Sequence, residues 1–221
     1  MVYLLRAANY EFPQANLTTK DVIATWSGVR PIVTSGKGLD PSKERRDHAV
    51  WADKGVISVS GGKLTTFRQI AQDVLTAAEE WLPSIKQRNQ KATIFTNPSD
   101  SLNIAPLTAD QRRLFIGKYG YLAQQFLQEM PANELTIIAE TQTMWAEIRW
   151  AFRHEQVEHL DDVLLRRTRL GLLLAEGGAA HFSTIKAIAL SEGWTEAQWA
   201  VEEKRYLDIW HQFYSLPKMT A

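Results

Sequence analysis

The apolar positions of this chain repeat with helical spacing at the N-terminus and follow a mixed pattern soon after it. Over Val2–Phe12 they recur every three to four residues, which predicts a short amphipathic helix that Pro13 ends. From Asp21 the chain is rich in β-branched and aromatic residues, and Gly28 and Pro31 interrupt it. We expect a strand there, followed by a tight turn and an extended segment.

A β-hairpin is predicted next, because two apolar runs flank a short polar turn. Its strands are His48–Trp51 and Val56–Ser60, and the turn lies near Lys54 and Gly55. A helix follows over about residues 64–81, since its apolar residues fall on one face. Those residues are Phe67, Ile70, Ala71, Val74, Leu75 and Ala78.

The second half of the chain has a helical pattern. Thr108 and Gln111 have the spacing of a capping box, in which each side chain accepts a hydrogen bond from the other residue's backbone N–H. Helices are predicted over residues 109–130, 134–152, 158–174, 180–191 and 195–213. We therefore divide the chain into a first domain at 1–92, a linker at 93–107 and a helical domain at 108–221. The predicted fold class is α+β with helix dominant, a short antiparallel sheet preceding an all-helical C-terminal domain.

Composition narrows the classes of function. The 221 residues carry 25 basic and 25 acidic side chains, and this zero net charge disfavours a nucleic-acid binder. The absence of cysteine excludes disulfides, thiolate metal sites and cysteine nucleophiles. His154 and His159 stand five residues apart, on different faces of a helix, so no metal site is predicted. No apolar run reaches the roughly 18–20 residues of a membrane span, and the first ten residues do not have the pattern of a secretory signal.

The candidate site is the turn that follows the second predicted strand. Gly61 and Gly62 allow a ligand to approach the backbone closely, and the first turn of the next helix exposes unpaired N–H groups. Lys63 adds a positive charge at the same place, so the turn suits a phosphate or a delocalised anion. An ordinary strand-to-helix turn that contains a lysine is the alternative.

Arginines form two further candidates. Arg30 lies close to Gly28 and directly before Pro31, and a guanidinium held by a constrained backbone can bind phosphate bidentately. Pairing with a structural carboxylate is the alternative for Arg30. A second cluster comprises Arg166, Arg167 and Arg169. Salt bridges such as Asp162 with Arg166, four residues apart, are one interpretation of this cluster, and contact with a phosphate or a lipid is the other.

Four segments together resemble the FAD-dependent, aerobic-type glycerol-3-phosphate dehydrogenases. They are Ser27-Gly-Val-Arg-Pro31, Arg46-Asp-His48, Gly55-Val-Ile-Ser-Val-Ser-Gly-Gly-Lys-Leu-Thr-Thr-Phe-Arg68, and Leu160-Asp-Asp-Val-Leu-Leu-Arg-Arg-Thr-Arg-Leu170. They stand in the order and at the approximate spacing of that family. The resemblance identifies the chain as a C-terminal portion of such a flavoenzyme, with residues 1–92 as part of its FAD- and substrate-binding domain.

The resemblance implies an activity and a set of site residues. The family oxidises sn-glycerol 3-phosphate to dihydroxyacetone phosphate and passes the electrons through FAD to a membrane quinone. Arg30 and Lys63 match substrate-binding positions. The cofactor-binding positions are Gly61, Gly62, Lys63, Leu64 and Thr65. The parent enzyme is expected to be cytoplasmic and peripheral to the inner membrane, and a homodimer stays an open alternative.

The sequence lacks the strand–Gly-x-Gly-x-x-Gly–helix segment with which this family holds the FAD pyrophosphate. The family's proton-abstracting residues lie in that portion too, so no catalytic residue is assigned here. We expect the isolated chain to bind FAD weakly or not at all, to be inactive, and to expose apolar residues in its first region. The alternative function is a non-catalytic helical module for contact with a partner or a membrane.

Overall fold

The computed structural model divides the chain into two compact units and describes residues 1–29, 47–82, 93 and 107–216. The hairpin unit is Ser27–Ile94, and the helical unit combines Met1–Trp26 with Phe95–Ala221. The first 26 residues therefore group by contacts with the helices. The predicted domain boundaries at residues 92 and 108 were placed where the sequence pattern changes, and they stay a prediction.

The N-terminal segment begins with α1 (Val2–Glu11), as predicted. Two single 3₁₀ turns follow in place of the strand predicted from Asp21, and that strand is absent from residues 21–29. Thr25 explains the difference. Its backbone N–H donates to the Tyr214 carbonyl at 2.7 Å, and its hydroxyl donates to the Ser215 carbonyl at 3.1 Å. These bonds attach the segment to the end of the last helix rather than to a sheet.

The predicted hairpin is confirmed. Strands β1 (His48–Asp53) and β2 (Val56–Gly61) pair antiparallel, with Asp53 opposite Val56 at the turn. Lys54 and Gly55 have φ values of 46° and 79°. Two successive positive φ angles are the requirement of a type I′ turn, whose twist matches that of the strands. A 3₁₀ turn over Leu64–Thr66 then leads into α2 (Phe67–Ala77), within the range predicted for a helix.

The helical unit continues with six further α-helices among the described residues. They are α3 (Ala109–Tyr119), α4 (Ala123–Glu129), α5 (Trp145–His154), α6 (Leu170–Leu173), α7 (Phe182–Ser191) and α8 (Glu196–Phe213). The capping box that begins α3 is confirmed. The Gln111 N–H donates to Thr108 Oγ1 at 3.3 Å, and the Thr108 N–H donates to Gln111 Oε1 at 2.9 Å.

Three predicted helices were too long. The predicted helix 109–130 is interrupted at Gly120, where φ is 54°. Residues 134–144 form a 3₁₀ turn and an isolated bridge between Ile137 and Met144, and α5 begins only at Trp145. The predicted helix 158–174 is a π-helical turn (Asp162–Arg167) followed by α6, with a left-handed Arg169 between them. Before α5, the Ile138 N–H donates to the Thr143 carbonyl at 2.8 Å and the Trp145 N–H donates to the Thr136 carbonyl at 3.1 Å, which a continuous helix does not allow. Next to the π-helical turn, the Asp161 carboxylate accepts a hydrogen bond from Arg205 of α8.

The hydrophobic core lies in the helical unit and is formed by buried aromatic and aliphatic side chains of its helices. Trp150, Trp199 and Trp210 are almost fully buried, while Trp145 and Trp194 pack against the core with part of their surface exposed. These five tryptophans fill contacts between the helices of this unit. Core packing of this kind stabilises a helical domain more than helix propensity does.

A buried carboxylate joins two helical segments within this unit. Asp161 is 1% exposed, and its two oxygens accept hydrogen bonds from Arg166 and Arg205. Arg166 also pairs with Asp162 at 2.9 Å, as predicted from their spacing, and the Arg167 Nε donates to the Glu155 carbonyl. Salt bridges therefore account for Arg166 and a hydrogen bond to a carbonyl accounts for Arg167, which favours the structural interpretation of these two arginines.

Protonation of Asp161 should destabilise the helical unit. Burial raises its pKa, but the hydrogen bonds and charges of Arg205 and Arg166 outweigh burial and hold the pKa below its ordinary value. A carboxyl with a lowered folded-state pKa stabilises the fold above its unfolded-state pKa, and this stability is lost as the pH falls through the folded-state pKa. We expect Asp161→Asn to be less stable than wild type at pH 7 and to lose less further stability below about pH 4.

Urea unfolding between pH 7 and pH 2 checks this expectation. Asp208→Asn is the matched control, because Asp208 pairs with Lys204 on the exposed surface of α8 and such pairs contribute little. An Asp161→Asn profile parallel to that of wild type would contradict the assignment.

Candidate functional site

The site is built on the turn that joins β2 to α2 within the hairpin unit. Gly61 and Gly62 have φ values of 79° and 87°, a left-handed conformation that glycine adopts without steric cost. Lys63 returns to an extended conformation, with φ at −132° and ψ at 149°, and precedes the 3₁₀ turn. The two glycines thus reverse the chain between the end of the strand and the start of the helix.

The residues after the glycines lie on the surface. Lys63, Leu64 and Thr65 are all exposed, and 90% of the Leu64 side chain is accessible. The Thr66 hydroxyl donates to the Lys63 carbonyl at 3.0 Å and accepts from the Lys63 N–H at 3.3 Å, which fixes the first turn. The first N–H groups of a helix have no acceptor within it, and they carry the positive end of its dipole. The exposed turn can therefore bind an anionic or electron-rich planar group.

Gly62 is constrained by close packing as well as by its φ angle. A Cβ atom at this position would lie 2.6 Å from Ile70 Cδ1 and 3.2 Å from His48 Cβ. The side of Gly62 that faces the protein is thus filled by α2 and β1. A larger residue here would strain the left-handed backbone and would require Ile70 and His48 to shift.

Polar side chains join the hairpin to the helix behind this turn. His48 Nε2 lies 2.6 Å from Asp73 Oδ2, and the Gln69 amide donates to Asp73 Oδ1 at 2.7 Å. Hydrogen bonds from Gln69 and then His48 lower the pKa of Asp73. Sequence reasoning missed Asp73 and Gln69, because the partners His48 and Asp73 stand 25 residues apart. The signal that the sequence did offer is the spacing of Gln69 and Asp73, which stand four residues apart on one face of the helix.

The remaining candidate residues add less. Arg30 lies outside the described residues. Arg169 is exposed at the left-handed position before α6. Within the described ranges, no group of three or more His, Cys, Asp or Glu side chains could hold a metal ion. None of the helices in the described residues is long and apolar enough to cross a membrane.

The family described as the C-terminal domain of alpha-glycerophosphate oxidase matches residues 57–199, from strand β2 to the first turn of α8. This match covers well over half of the chain. The chain belongs to this family. The matched range contains the whole candidate turn and most of the helical unit.

Curated relatives agree with the family match. The chain is 43% identical over 74 residues to aerobic glycerol-3-phosphate dehydrogenases of Staphylococcus aureus strains USA300, NCTC 8325 / PS 47 and COL. The aligned stretch is 33% of this chain and 13% of each relative. The chain thus matches a small part of a much longer oxidoreductase, as the resemblance in sequence predicted.

Proposed function

We propose that this chain is part of an FAD-dependent enzyme that oxidises sn-glycerol 3-phosphate to dihydroxyacetone phosphate and passes the electrons to a quinone. The observation that carries the proposal is the family match over residues 57–199, which includes the glycine turn and most of the helical unit. The relatives that it resembles are glycerol-3-phosphate dehydrogenases by name. We further propose that the enzyme acts at the membrane surface from the cytoplasmic side.

The turn has the features that a flavin ring needs from its protein. A flavin supplies the acceptor for a hydride, and its reduced form carries negative charge near N1 and the C2 carbonyl. Gly61 and Gly62 present backbone without side chains, and Leu64 and Thr65 lie at the N-terminal end of the helical segment. The helix dipole and Lys63 favour negative charge at that place. The residues present therefore fit this cofactor.

Lys63 and Arg30 are proposed to bind the substrate phosphate. Lys63 is exposed at the turn, so its ammonium group can reach a ligand that lies above the glycines. The same role is proposed for Arg30 from the sequence resemblance alone. A lysine and an arginine together give a point charge and a bidentate donor, which suits a phosphate monoester.

Exposed apolar side chains in the hairpin unit support its place in a larger protein. Ala78 is the one buried apolar residue among the described residues of this unit. Nine large apolar residues there are exposed: Val29, Trp51, Val56, Val59, Leu64, Phe67, Leu75, Trp81 and Leu82. With so little apolar surface buried, this hairpin and its helix have little stability of their own. This exposure was expected if the unit packs against the dinucleotide-binding portion of the flavoenzyme.

A flavin titration tests the proposal. The purified chain alone should show no binding at high micromolar FAD, because it lacks the dinucleotide-binding motif. Co-expression with a portion of a relative that carries Gly-x-Gly-x-x-Gly should give stoichiometric flavin and glycerol-3-phosphate oxidation. Visible flavin absorbance and quenching of tryptophan fluorescence report binding. A co-expressed complex that forms but takes up no flavin would refute the proposal.

A second candidate function rests on the helical unit. Its core is well formed, and among residues 107–216 the exposed large apolar side chains are Leu114, Tyr121, Leu173, Val201 and Phe213. A unit packed this way could serve as a non-catalytic module for contact with a partner or a membrane. In that case the co-expressed complex would form without oxidising glycerol 3-phosphate.

A further inference from the structure

The cluster of His48, Gln69 and Asp73 lies beside the glycine turn, at the junction of β1 and α2. His48 is the first residue of β1, and Gln69 and Asp73 lie one helical turn apart on α2. The Asp73 carboxylate accepts from the Gln69 amide at 2.7 Å and lies 2.6 Å from the His48 ring nitrogen. The His48 side chain is 18% exposed and that of Asp73 is 41% exposed. The cluster is therefore semi-buried, at the junction of strand and helix.

His48 also contacts the turn. It pairs with Gly61 in the hairpin register, and its Cβ lies 3.2 Å from the place a Gly62 Cβ would occupy. The Cδ1 atom of Ile70, in the first turn of α2, lies still closer to the position of a Gly62 Cβ, at 2.6 Å. One residue thus touches the end of β2, the glycine turn and, through Asp73, the second turn of the helix. Any shift of the helix relative to the strand would move the turn between them.

Little apolar surface is fully buried in this unit. Among the described residues 47–82, Ala78 is the one buried apolar side chain, and it lies after the C-terminal end of α2. Two antiparallel strands are marginally stable by themselves. Directional hydrogen bonds that involve a carboxylate are stronger than neutral ones, and they hold a defined geometry. The polar cluster is accordingly a directional contact that joins the first two turns of α2 to the start of β1.

We propose that His48 and Asp73 are positioning residues, which set the direction in which the Gly61–Gly62 turn and the first turn of α2 face the flavin. This inference rests on the proposed function. In this proposal neither the His48 nor the Asp73 side chain touches the cofactor, and both act through the backbone of the turn. The hydrogen bonds from Gln69 and His48 lower the pKa of Asp73, which means that they favour its carboxylate form.

The expected consequence is electrostatic. The positive end of a helix favours a nearby negative charge only within about the first turn, so a small change of direction reduces the effect. Reduced flavin is the more negative state, and it should lose more stabilisation than oxidised flavin. In the flavin-loaded protein we expect Asp73→Ala to disfavour reduced flavin about tenfold. For a two-electron couple this equals a midpoint potential lower by about 30 mV.

Four variants test the proposal in the co-expressed, flavin-loaded complex. Asp73→Ala removes the contact, Asp73→Asn keeps an acceptor of the same shape, and Asp53→Ala, on an exposed residue beside the hairpin turn, is the control. We expect the lowered potential in Asp73→Ala, recovery of most of it in Asp73→Asn, and no change in the control. Gln69→Ala, which removes one hydrogen bond and leaves the pair, should shift the potential in the same direction by less.

A second readout, on the co-expressed complex before flavin is added, accompanies the potentials. The backbone amide resonances of Gly61, Gly62 and Lys63 should shift in Asp73→Ala and return in Asp73→Asn, because the turn follows the contact. If wild type takes up no flavin, the proposed function fails and this inference fails with it. If wild type binds flavin and the potential of Asp73→Ala or Gln69→Ala equals that of wild type, the inference alone is wrong. It is equally wrong if Asp73→Asn is as perturbed as Asp73→Ala.

Discussion

Replacement of Lys63 by alanine should reduce kcat/KM for glycerol 3-phosphate by about 10²–10³-fold in the flavin-loaded enzyme. Removal of one preorganised donor from a developing negative charge has this typical cost. Lys63 stands at the N-terminal end of the helical segment, directly after two left-handed glycines. Its charge and the helix dipole therefore act on the same ligand, and no other charged side chain of Gly61–Thr66 can replace it.

Steady-state kinetics of the co-expressed complex measure this effect, with flavin content determined first for each variant. Lys54→Ala is the matched control, because Lys54 is an exposed lysine of the same hairpin at its opposite end. We expect the control to keep wild-type kcat/KM. Arg30→Ala should also lose activity, through a raised KM, if it binds the substrate phosphate. Full activity in Lys63→Ala would contradict the assignment of the site.

A second large effect is expected at Gly177 in the helical unit. Glu176, Gly177 and Gly178 are three successive left-handed residues between α6 and α7. A Cβ on Gly177 would lie 2.8 Å from Tyr206 Oη and 2.9 Å from two ring atoms of Trp210. Gly177→Ala should therefore combine the cost of a left-handed residue with the cost of overpacking. Together these lower the free energy of unfolding by about 2–5 kcal/mol.

Gly178 provides the control for this prediction. It is also left-handed, with φ at 84°, but a Cβ there would meet only Leu174 at ordinary contact distances of 3.6 and 3.9 Å. Gly178→Ala should lose only about 1–2 kcal/mol, the cost of the backbone conformation. Urea unfolding followed by far-UV circular dichroism measures both variants. Equal losses would mean that the contact with α8 does not limit the size of residue 177.

A double substitution separates the steric part of the loss. The Tyr206 hydroxyl donates to the Gly177 carbonyl at 2.6 Å, so it is both a partner of this loop and an obstacle to a side chain there. In a Tyr206→Phe background, Gly177→Ala should cost less than in wild type by at least about 0.5 kcal/mol, the range of coupling between contacting residues. Strict additivity would show that the hydroxyl is not the obstacle.

Local signals in the sequence determined the elements whose hydrogen bonds are local. The type I′ turn follows from Lys54-Gly55 between two apolar runs, and the start of α3 follows from Thr108 and Gln111, since every partner lies within a few residues. The glycine turn with Lys63 was predicted for the same reason. Its assignment to a flavoenzyme family came from the order of the motifs, which the match over residues 57–199 supports.

Only the tertiary structure decided the features that depend on distant partners. The strand predicted from Asp21 does not form in the described segment, because Thr25 bonds to residues 214 and 215. The helix predicted at 158–174 contains a π-helical turn and a left-handed Arg169, beside a carboxylate that also binds Arg205. The contact between His48 and Asp73 joins residues 25 apart. Periodicity reports which residues prefer burial, but the partner that satisfies a distant donor or acceptor is fixed only when the chain has folded.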